Sequence, residues 1–257
     1  MAEPLPPGGG EFADQVRDLP ELVTGSLDAL EERTRTDITT TLDQAVAAQG
    51  LNGGALRAAV DRLVEIITSA AHRAVNIGAA IARALTPSRW LARDPDEVVA
   101  GFTMLGGRTT LLPARRRTTL PDQATVARAV AEFQIASDVD QALRQAAERM
   151  DATPPPQRPE RLEQTKRSVW THGLTTIHQA SNRGATWFAE QFGLGLRWYT
   201  RRDNRVCWVC GPMHGRTVAS ADQSFVLPPG PRWRGYTGKP PAHPRCRCSV
   251  RPVRVRA

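Results

Sequence analysis

The four cysteines of this 257-residue chain all lie in its last 51 residues, where they form two close pairs. Two residues separate Cys207 from Cys210, one residue separates Cys246 from Cys248, and 35 residues lie between the pairs. A C-x2-C turn presents two thiolates on one side of a tight loop, and a second pair can complete a tetrahedral zinc site. The spacing therefore predicts a zinc-knuckle-like cysteine cluster that holds a structural Zn²⁺ ion.

The sequence leaves the fourth ligand and the state of the thiols open. A single residue between two ligands strains a shared metal, so His243 can replace Cys248 as the fourth ligand. His214, beside Gly215, is better explained as a turn residue than as a ligand. Free or oxidisable thiols are a second interpretation. Disulfides come last, because the first residues lack the basic and apolar regions of a secretory signal and a reducing cytosol disfavours disulfides.

Charge is distributed unevenly along the chain, whose formal net charge is +8. Residues 1–153 carry 16 basic and 21 acidic side chains, whereas residues 154–257 carry 18 basic and 5 acidic ones. Arginine neutralises phosphates and releases counterions, so a basic half of this density suits double-stranded DNA, and the alternatives are an acidic protein or ordinary solvated charge. The candidate nucleic-acid contacts are Arg201, Arg202, Arg232, Arg234, Arg245 and Arg247.

Apolar residues spaced three and four apart predict helices over most of the first 150 residues. The clearest helix covers 55–85, and Pro87 ends it. Its apolar stripe from Leu56 to Ile81 is too long to stay exposed, so it must be buried in a bundle or against a partner. Further helices are expected over 11–23, from Ser26 to Gly50 with Ser26 as N-cap, from 94 to about 105, and from Asp122 as N-cap to Met150.

These patterns divide the chain into a flexible arm at 1–10, a helical domain at 11–152, a Pro-rich linker at 153–159 and a C-terminal domain at 160–257. Residues 106–121 are expected to form an exposed loop. The C-terminal domain should contain a long helix followed by short strands. The predicted fold is thus mainly α, with an N-terminal helical region joined to an α+β domain. No window reaches about 18 apolar residues, so we expect no membrane span.

The C-terminal sequence also carries a composite motif. It reads W-x-T-x-x-D-x-R-V-C-x-x-C, then H-G, then Phe225, then P-P-x-H-P-x-C-R-C. This pattern, with the helix before it, resembles the phage head morphogenesis domain of the Mu F-like minor head protein family over Glu160 to Val253. The motif positions are Trp198, Thr200, Asp203, Arg205, Cys207, Cys210, Gly215, His243, Pro244, Cys246 and Cys248.

The resemblance implies a minor capsid protein, present in few copies, that attaches near the portal during procapsid assembly. Its partners would be the portal protein and the capsid or scaffold proteins, with contact to packaged double-stranded DNA as a further expectation. The protein would lie in the capsid interior or at the portal vertex, after assembly in the host cytoplasm. The resemblance implies no enzyme, and the first 150 residues contain no motif that it covers.

Enzymatic alternatives receive less support from the residues. A zinc-dependent nuclease or phage-borne toxin of the ββα-metal type needs a general-base His near a second metal-binding His or Asn, and no Asp-His or Glu-His pair accompanies His214 and His243. A zinc deaminase needs a Glu two residues after a ligand His, where this chain has Arg216 after His214. A cysteine nucleophile paired with His243 remains formally open.

Overall fold

Amphipathic helices dominate the computed structural model, as the apolar spacing predicts. The model describes the backbone of residues 10–86, 104–105, 108–109, 120–200, 206, 208, 210–227 and 238–255, and it describes side chains from residue 25 onward outside 104–109. The helices are α1 (Gly10–Gln49), α2 (Gly53–Ala58), α3 (Val60–Leu85), α4 (Gln123–Ala131), α5 (Ile135–Asp151) and α6 (Arg158–Gln191). The strands are β1 (Met104–Leu105), β2 (Arg108–Thr109), β3 (Gly195–Tyr199), β4 (Thr217–Val218) and β5 (Ser249–Val253).

Helices α3 and α6 form the central contact of the fold. Their backbones approach closely where Gly78 of α3 meets the carbonyl of Ser181, and where Gly184 of α6 meets the carbonyl of Val75. The axial separation of two packed helices depends on the side chains at the crossing, so two glycines allow a close crossing. Small residues continue the contact on α3, where Ala71, Ala74 and Ala79 are fully buried.

The larger core lies among helices α1 to α6. The apolar stripe predicted on 56–81 is mostly buried there, so the helical bundle itself covers it. Helix α6 contributes to the same core as the helices that precede residue 153. Segment 153–159 contains a short 3₁₀ turn, Pro155–Gln157, that leads directly into α6. It therefore connects helices of one core, and the boundary expected there does not separate two cores.

Several predicted helix ends are wrong. Helix α1 runs through Gly25 and Ser26 without the expected break, because a lone glycine costs a helix only about 1 kcal/mol while its apolar face packs on the other helices. Asp122 does cap a helix, since its Oδ1 accepts from the Thr125 N–H at 2.7 Å. That helix stops before Gln134, whose φ of 48° is left-handed, so the predicted span to Met150 forms two helices.

The predictions for the segment between α3 and α4 fall mostly outside the described residues. At 104–105 the predicted helix end is wrong, because these residues form strand β1, which pairs antiparallel with β2. Strand β2 likewise lies in the stretch expected to be an irregular loop. The flexible arm at 1–9 and the rest of 94–119 lie outside the described residues, and Gly10 already belongs to α1.

A smaller core packs against the end of α6 and surrounds a three-stranded antiparallel sheet. The strand order is β4-β3-β5, so β3 is central, and β3 and β5 are among the short strands that the sequence predicts after the long helix. Trp198 is fully buried and meets Phe225 edge-to-face, with ring centroids 5.3 Å apart. Phe188 of α6 extends this core towards the helices. None of the helices in the described ranges combines the length and apolar character needed to cross a membrane.

Candidate metal centre

Three of the four cysteines converge in the smaller core. The sulfur atoms of Cys210, Cys246 and Cys248 all lie within 4.8 Å of one another, and the three residues are buried. The Sγ atoms of Cys210 and Cys246 are 3.6 Å apart. All three thiols are free of disulfides. Residues that are 36 positions apart in the sequence thus form one compact sulfur cluster that could hold a metal ion.

Tight backbone turns bring each sulfur to the cluster. Cys210 precedes the 3₁₀ turn Gly211–Met213, in which the Met213 N–H donates to the Cys210 carbonyl at 3.1 Å. The Cys246 N–H donates to the His243 carbonyl at 3.0 Å, and Arg245 within this turn has a left-handed φ of 63°. This turn leads into Cys246, and Cys248 reaches the same cluster although only one residue separates it from Cys246.

Asn182 joins this cluster to the helical core. Its side chain is buried on α6, where Nδ2 donates to the Cys248 carbonyl at 3.0 Å and Oδ1 accepts from the Val250 N–H at 2.9 Å. Both partners flank Ser249, the first residue of β5. One helical amide therefore fixes the backbone immediately after the second cysteine pair. No motif in the sequence marked Asn182, because its role depends on a partner 66 residues away.

His243 lies beside one of the three sulfurs. Its Nε2 is 3.3 Å from Cys210 Sγ, and its Nδ1 is 2.8 Å from the Pro244 carbonyl oxygen. A carbonyl only accepts, so Nδ1 must donate, and this leaves the Nε2 lone pair facing the cluster. A hydrogen bond from the second ring nitrogen to a backbone carbonyl is the usual support of a metal-binding histidine. His243 is therefore oriented to serve as a ligand next to Cys210.

The three thiols differ in how readily they lose a proton. Hydrogen bonds from Cys210 and Cys248 lower the pKa of Cys246, although its burial opposes them. Hydrogen bonds to Cys246 and Cys248, together with burial, raise the pKa of Cys210. The contact with Cys210 lowers the pKa of Cys248. The contact with Cys246, the burial of Cys248 and the charge of Cys246 outweigh this effect and raise the pKa of Cys248 to about 12. A cation would replace the shared protons and release them to solvent.

The indole of Trp198 borders the cluster. Its Nε1 is buried, and no atom of the described residues meets the geometric criteria for accepting a hydrogen bond from it. The N–H nevertheless lies close enough to Cys248 to lower the pKa of that thiol. An N–H that points towards sulfur favours the thiolate over the thiol. Trp198 thus supports negative charge at the cluster from the side of the central strand β3.

Two further motif residues build the turn that follows Cys210. The Thr200 N–H donates to His214 Nδ1 at 3.1 Å, and the Thr200 hydroxyl lies 2.9 Å from the same nitrogen. Gly215 has a left-handed φ of 81°, and its N–H donates to the Trp198 carbonyl at 2.8 Å. The H-G element is thus explained by a turn that returns the chain to β3, and His214 lies in that turn as expected.

The structure brings together only part of the predicted site. Cys248 belongs to the group of mutually close sulfurs and His243 lies beside Cys210, so both residues between which the sequence leaves the choice open are at the cluster. Pro244 and Arg245 lie in the turn before Cys246, and Arg247 lies between the last two cysteines. The predicted site residues outside the described residues are Cys207, Asp203, Arg205, Arg201, Arg202, Arg232 and Arg234.

Comparisons of the chain with protein-family models, with curated proteins and with solved structures find no match. The geometry of the cluster and the motif residues are therefore the basis for any functional conclusion.

Replacing Asn182 by alanine is expected to destabilise the smaller core by about 2–4 kcal/mol, because the Cys248 carbonyl and the Val250 N–H would each be left buried without a partner. Asn76→Ala is the matched control, since Asn76 lies exposed on α3. Chemical denaturation of both variants checks the prediction. Equal midpoints for the two variants would mean that the Asn182 amide does not connect α6 to β5.

Proposed function

We propose that this chain is a phage minor head protein of the head morphogenesis type, a structural virion component that associates with portal or capsid proteins during procapsid assembly. One observation carries the proposal. The two halves of the composite motif meet in a single buried cluster, and Trp198, Thr200 and Gly215 build the strand and turn around it. The motif residues thus act together as one structural unit, which is what a folding element of a structural head protein requires.

We further propose that the metal is zinc. A tetrahedral site with Zn–S bonds of about 2.3 Å has sulfur–sulfur edges of about 3.8 Å, and its sulfur–nitrogen edges are about 3.6 Å. The separation of 3.6 Å between Cys210 and Cys246 and that of 3.3 Å between Cys210 and His243 fit such edges. Soft thiolates select zinc over magnesium or calcium. Cys210, Cys246 and Cys248 would bind the ion, with His243 or Cys207 as the fourth ligand.

Burial favours a structural role for this metal over a catalytic one. A catalytic zinc keeps one position open to water and substrate, whereas a structural zinc is closed by four protein ligands. Cys210 and Cys246 are each only 2% exposed, which leaves little access for substrate from their side of the cluster. A nuclease or toxin of the ββα-metal type remains the alternative function, and it would require an accessible metal beside a general base.

Co-expression with a phage portal protein and major capsid protein from the same genome tests the assembly role. The full chain, carrying an affinity tag, should retain the portal or the major capsid protein, and purified heads should contain it in few copies. Quantitative mass spectrometry of the purified heads gives the copy number. Failure to associate with any of these proteins, together with cleavage of DNA when a divalent metal is added, would replace the assembly proposal by the nuclease alternative.

A further inference from the structure

A basic groove follows one face of helix α6. We call it the α6 groove, and it is formed by two adjoining cavities of ≈ 360 Å³ and ≈ 500 Å³ that share Gln164, Ser168 and His172. The first cavity lies between α5 and α6 and includes Arg149 and Arg161. The second continues along α6 to the turn of the second cysteine pair, where it includes Arg167 and Arg245. The groove therefore links the helical core to the metal-binding turn.

The four arginines of the α6 groove keep their charge uncompensated. Arg149 donates to Gln145 Oε1 at 3.2 Å, and Arg161 donates to Gln164 Oε1 at 2.7 Å. Arg167 donates to the Glu163 carbonyl at 3.3 Å, and Arg245 donates to Thr171 Oγ1 at 3.0 Å. All of these acceptors are neutral, and no ion pair is recorded for the four guanidinium groups among the residues that the structure describes.

Other basic side chains nearby are compensated. Lys166, on the neighbouring face of α6, contacts Asp43 at 2.6 Å and Glu163 at 2.9 Å. Two carboxylates do lie at the α6 groove: Asp138 lines the first cavity and Glu160 contacts Gln164, but neither pairs with a groove arginine in the described residues. The positive charge of the groove thus exceeds the negative charge and remains available to an external anion.

The length of the groove suits a repeated anion. The stretch of α6 from Arg161 to Thr175 rises about 21 Å at 1.5 Å per residue. One strand of duplex DNA carries a phosphate about every 3.4 Å along the helix axis, so about six phosphates pass over this length. An isolated anion would use only one part of such a groove, whereas a polyphosphate backbone can use all of it.

The metal-binding turn fixes the end of the groove. Arg245 lies between His243 and Cys246, and its guanidinium is attached to α6 through Thr171. The Arg245 N–H also approaches Thr175 Oγ1 at 3.4 Å. The turn that presents Cys246 to the cluster therefore also places a positive charge in line with the arginines of α6.

We propose that the α6 groove binds the phosphate backbone of double-stranded DNA, with Arg149, Arg161, Arg167 and Arg245 as the phosphate contacts. The proposal rests on the proposed function only for the source of the DNA, the packaged genome. These arginines would contact phosphates and not base edges. Binding is therefore independent of the DNA sequence, and the affinity falls steeply as the salt concentration rises. The proposal adds arginines of helix α6 to the DNA contacts. The candidate contacts predicted from the sequence include Arg245 but no residue of α6.

Fluorescence anisotropy with the full chain and a labelled 30-base-pair duplex of arbitrary sequence tests the groove. The variant Arg149→Gln/Arg161→Gln/Arg245→Gln should bind at least about tenfold more weakly than the unaltered chain, and the slope of log K against log salt should fall by about 2.7, since each lost phosphate contact removes about 0.9. The single variant Arg161→Gln should lower the slope by about 0.9, and it replaces the triple variant as the test if the triple variant is poorly folded.

A matched control removes the same charge elsewhere. Arg35→Gln/Arg62→Gln/Arg144→Gln takes away three exposed arginines that pair with Glu32, Glu65 and Asp140. This variant should keep the affinity and salt slope of the unaltered chain. Equal losses in both triple variants, no binding of the unaltered chain at 50 mM salt, or equal competition by polyglutamate would each overturn the proposal.

Copy number in purified heads separates the two proposals. A groove variant that still enters heads but has lost DNA binding supports both the assembly role and the groove. An unaltered chain that binds DNA through the groove but enters no head supports the groove and overturns the assembly role.

Discussion

Replacing Gly184 by alanine is expected to lower the free energy of unfolding by about 3 kcal/mol, at the upper end of what overpacking a core costs. A Cβ atom there would lie 2.8 Å from the Val75 carbonyl carbon and 2.9 Å from the Ala79 nitrogen, and it would lie closer still to the Val75 carbonyl oxygen. These are backbone atoms, so they cannot rotate away, and α3 must move relative to α6. Thermal unfolding should show a midpoint lower by roughly 6–12 °C.

The control for this prediction is Gly25→Ala. Gly25 lies exposed within α1, and a Cβ atom there meets nothing within 4 Å. Alanine favours a helix over glycine by about 1 kcal/mol, so this variant should be as stable as the original chain or slightly more stable. Gly78→Ala should repeat the loss, because its Cβ would meet the Ser181 backbone. If Gly184→Ala and Gly25→Ala unfold at the same temperature, α3 and α6 do not cross as closely as described.

Replacing Cys246 by serine is expected to abolish metal binding and to unfold the smaller core while the larger core stays folded. The sulfur of Cys246 lies 3.6 Å from that of Cys210 within the group of three close sulfurs, so its loss leaves too few soft ligands. Metal binding supplies on the order of 10 kcal/mol of folding free energy in small zinc domains, whereas α3 and α6 have a large apolar core of their own. The effect should therefore be confined to the sheet and its turns.

Hydrogen exchange followed by mass spectrometry distinguishes the two cores. In Cys246→Ser, and in the unaltered chain treated with a zinc chelator, amides of β3 and β5 should lose protection and amides of α3 should keep it. The control is Ser249→Ala, an exposed position three residues further on, which should leave both regions protected. Protection of β3 and β5 that survives both the substitution and the chelator would show that no metal holds this core.

Sequence periodicity predicts the helices well where an apolar stripe faces a core. The stripe from Leu56 to Ile81 and the Asp122 cap are local signals, and the burial of the stripe and the cap are confirmed. The single helix predicted over 55–85 is wrong at Ala59, where α2 ends and α3 begins. The failures concern long-range packing. Nothing local shows that α1 tolerates Gly25, or that Gln134 adopts a left-handed conformation that divides α4 from α5. The glycines at 78 and 184 likewise become meaningful only once α3 and α6 are known to cross.

The site was partly predictable for a similar reason. The spacing of the cysteines predicts a cluster, and the mutually close sulfurs of Cys210, Cys246 and Cys248 confirm that they come together. The strain expected of C-x-C does not separate the last two cysteines, whose sulfurs lie within 4.8 Å of each other. Asn182 could not be identified, since its partners are 66 and 68 residues away in the sequence. The groove arginines of α6 could not be identified either, since the groove is completed by residues of α5 and by Pro244 and Arg245. Cys207 as a ligand stays a prediction.

Metal content of the full-length protein, purified under reducing conditions, tests the central claim that the cysteine cluster is a structural zinc site. Elemental analysis should find about one zinc per chain, and X-ray absorption at the zinc edge should find at least three sulfur ligands at about 2.3 Å. The Cys246→Ser variant, analysed in parallel, should contain none. A metal-free protein whose thermal stability is unchanged by added zinc or by a chelator would contradict the account.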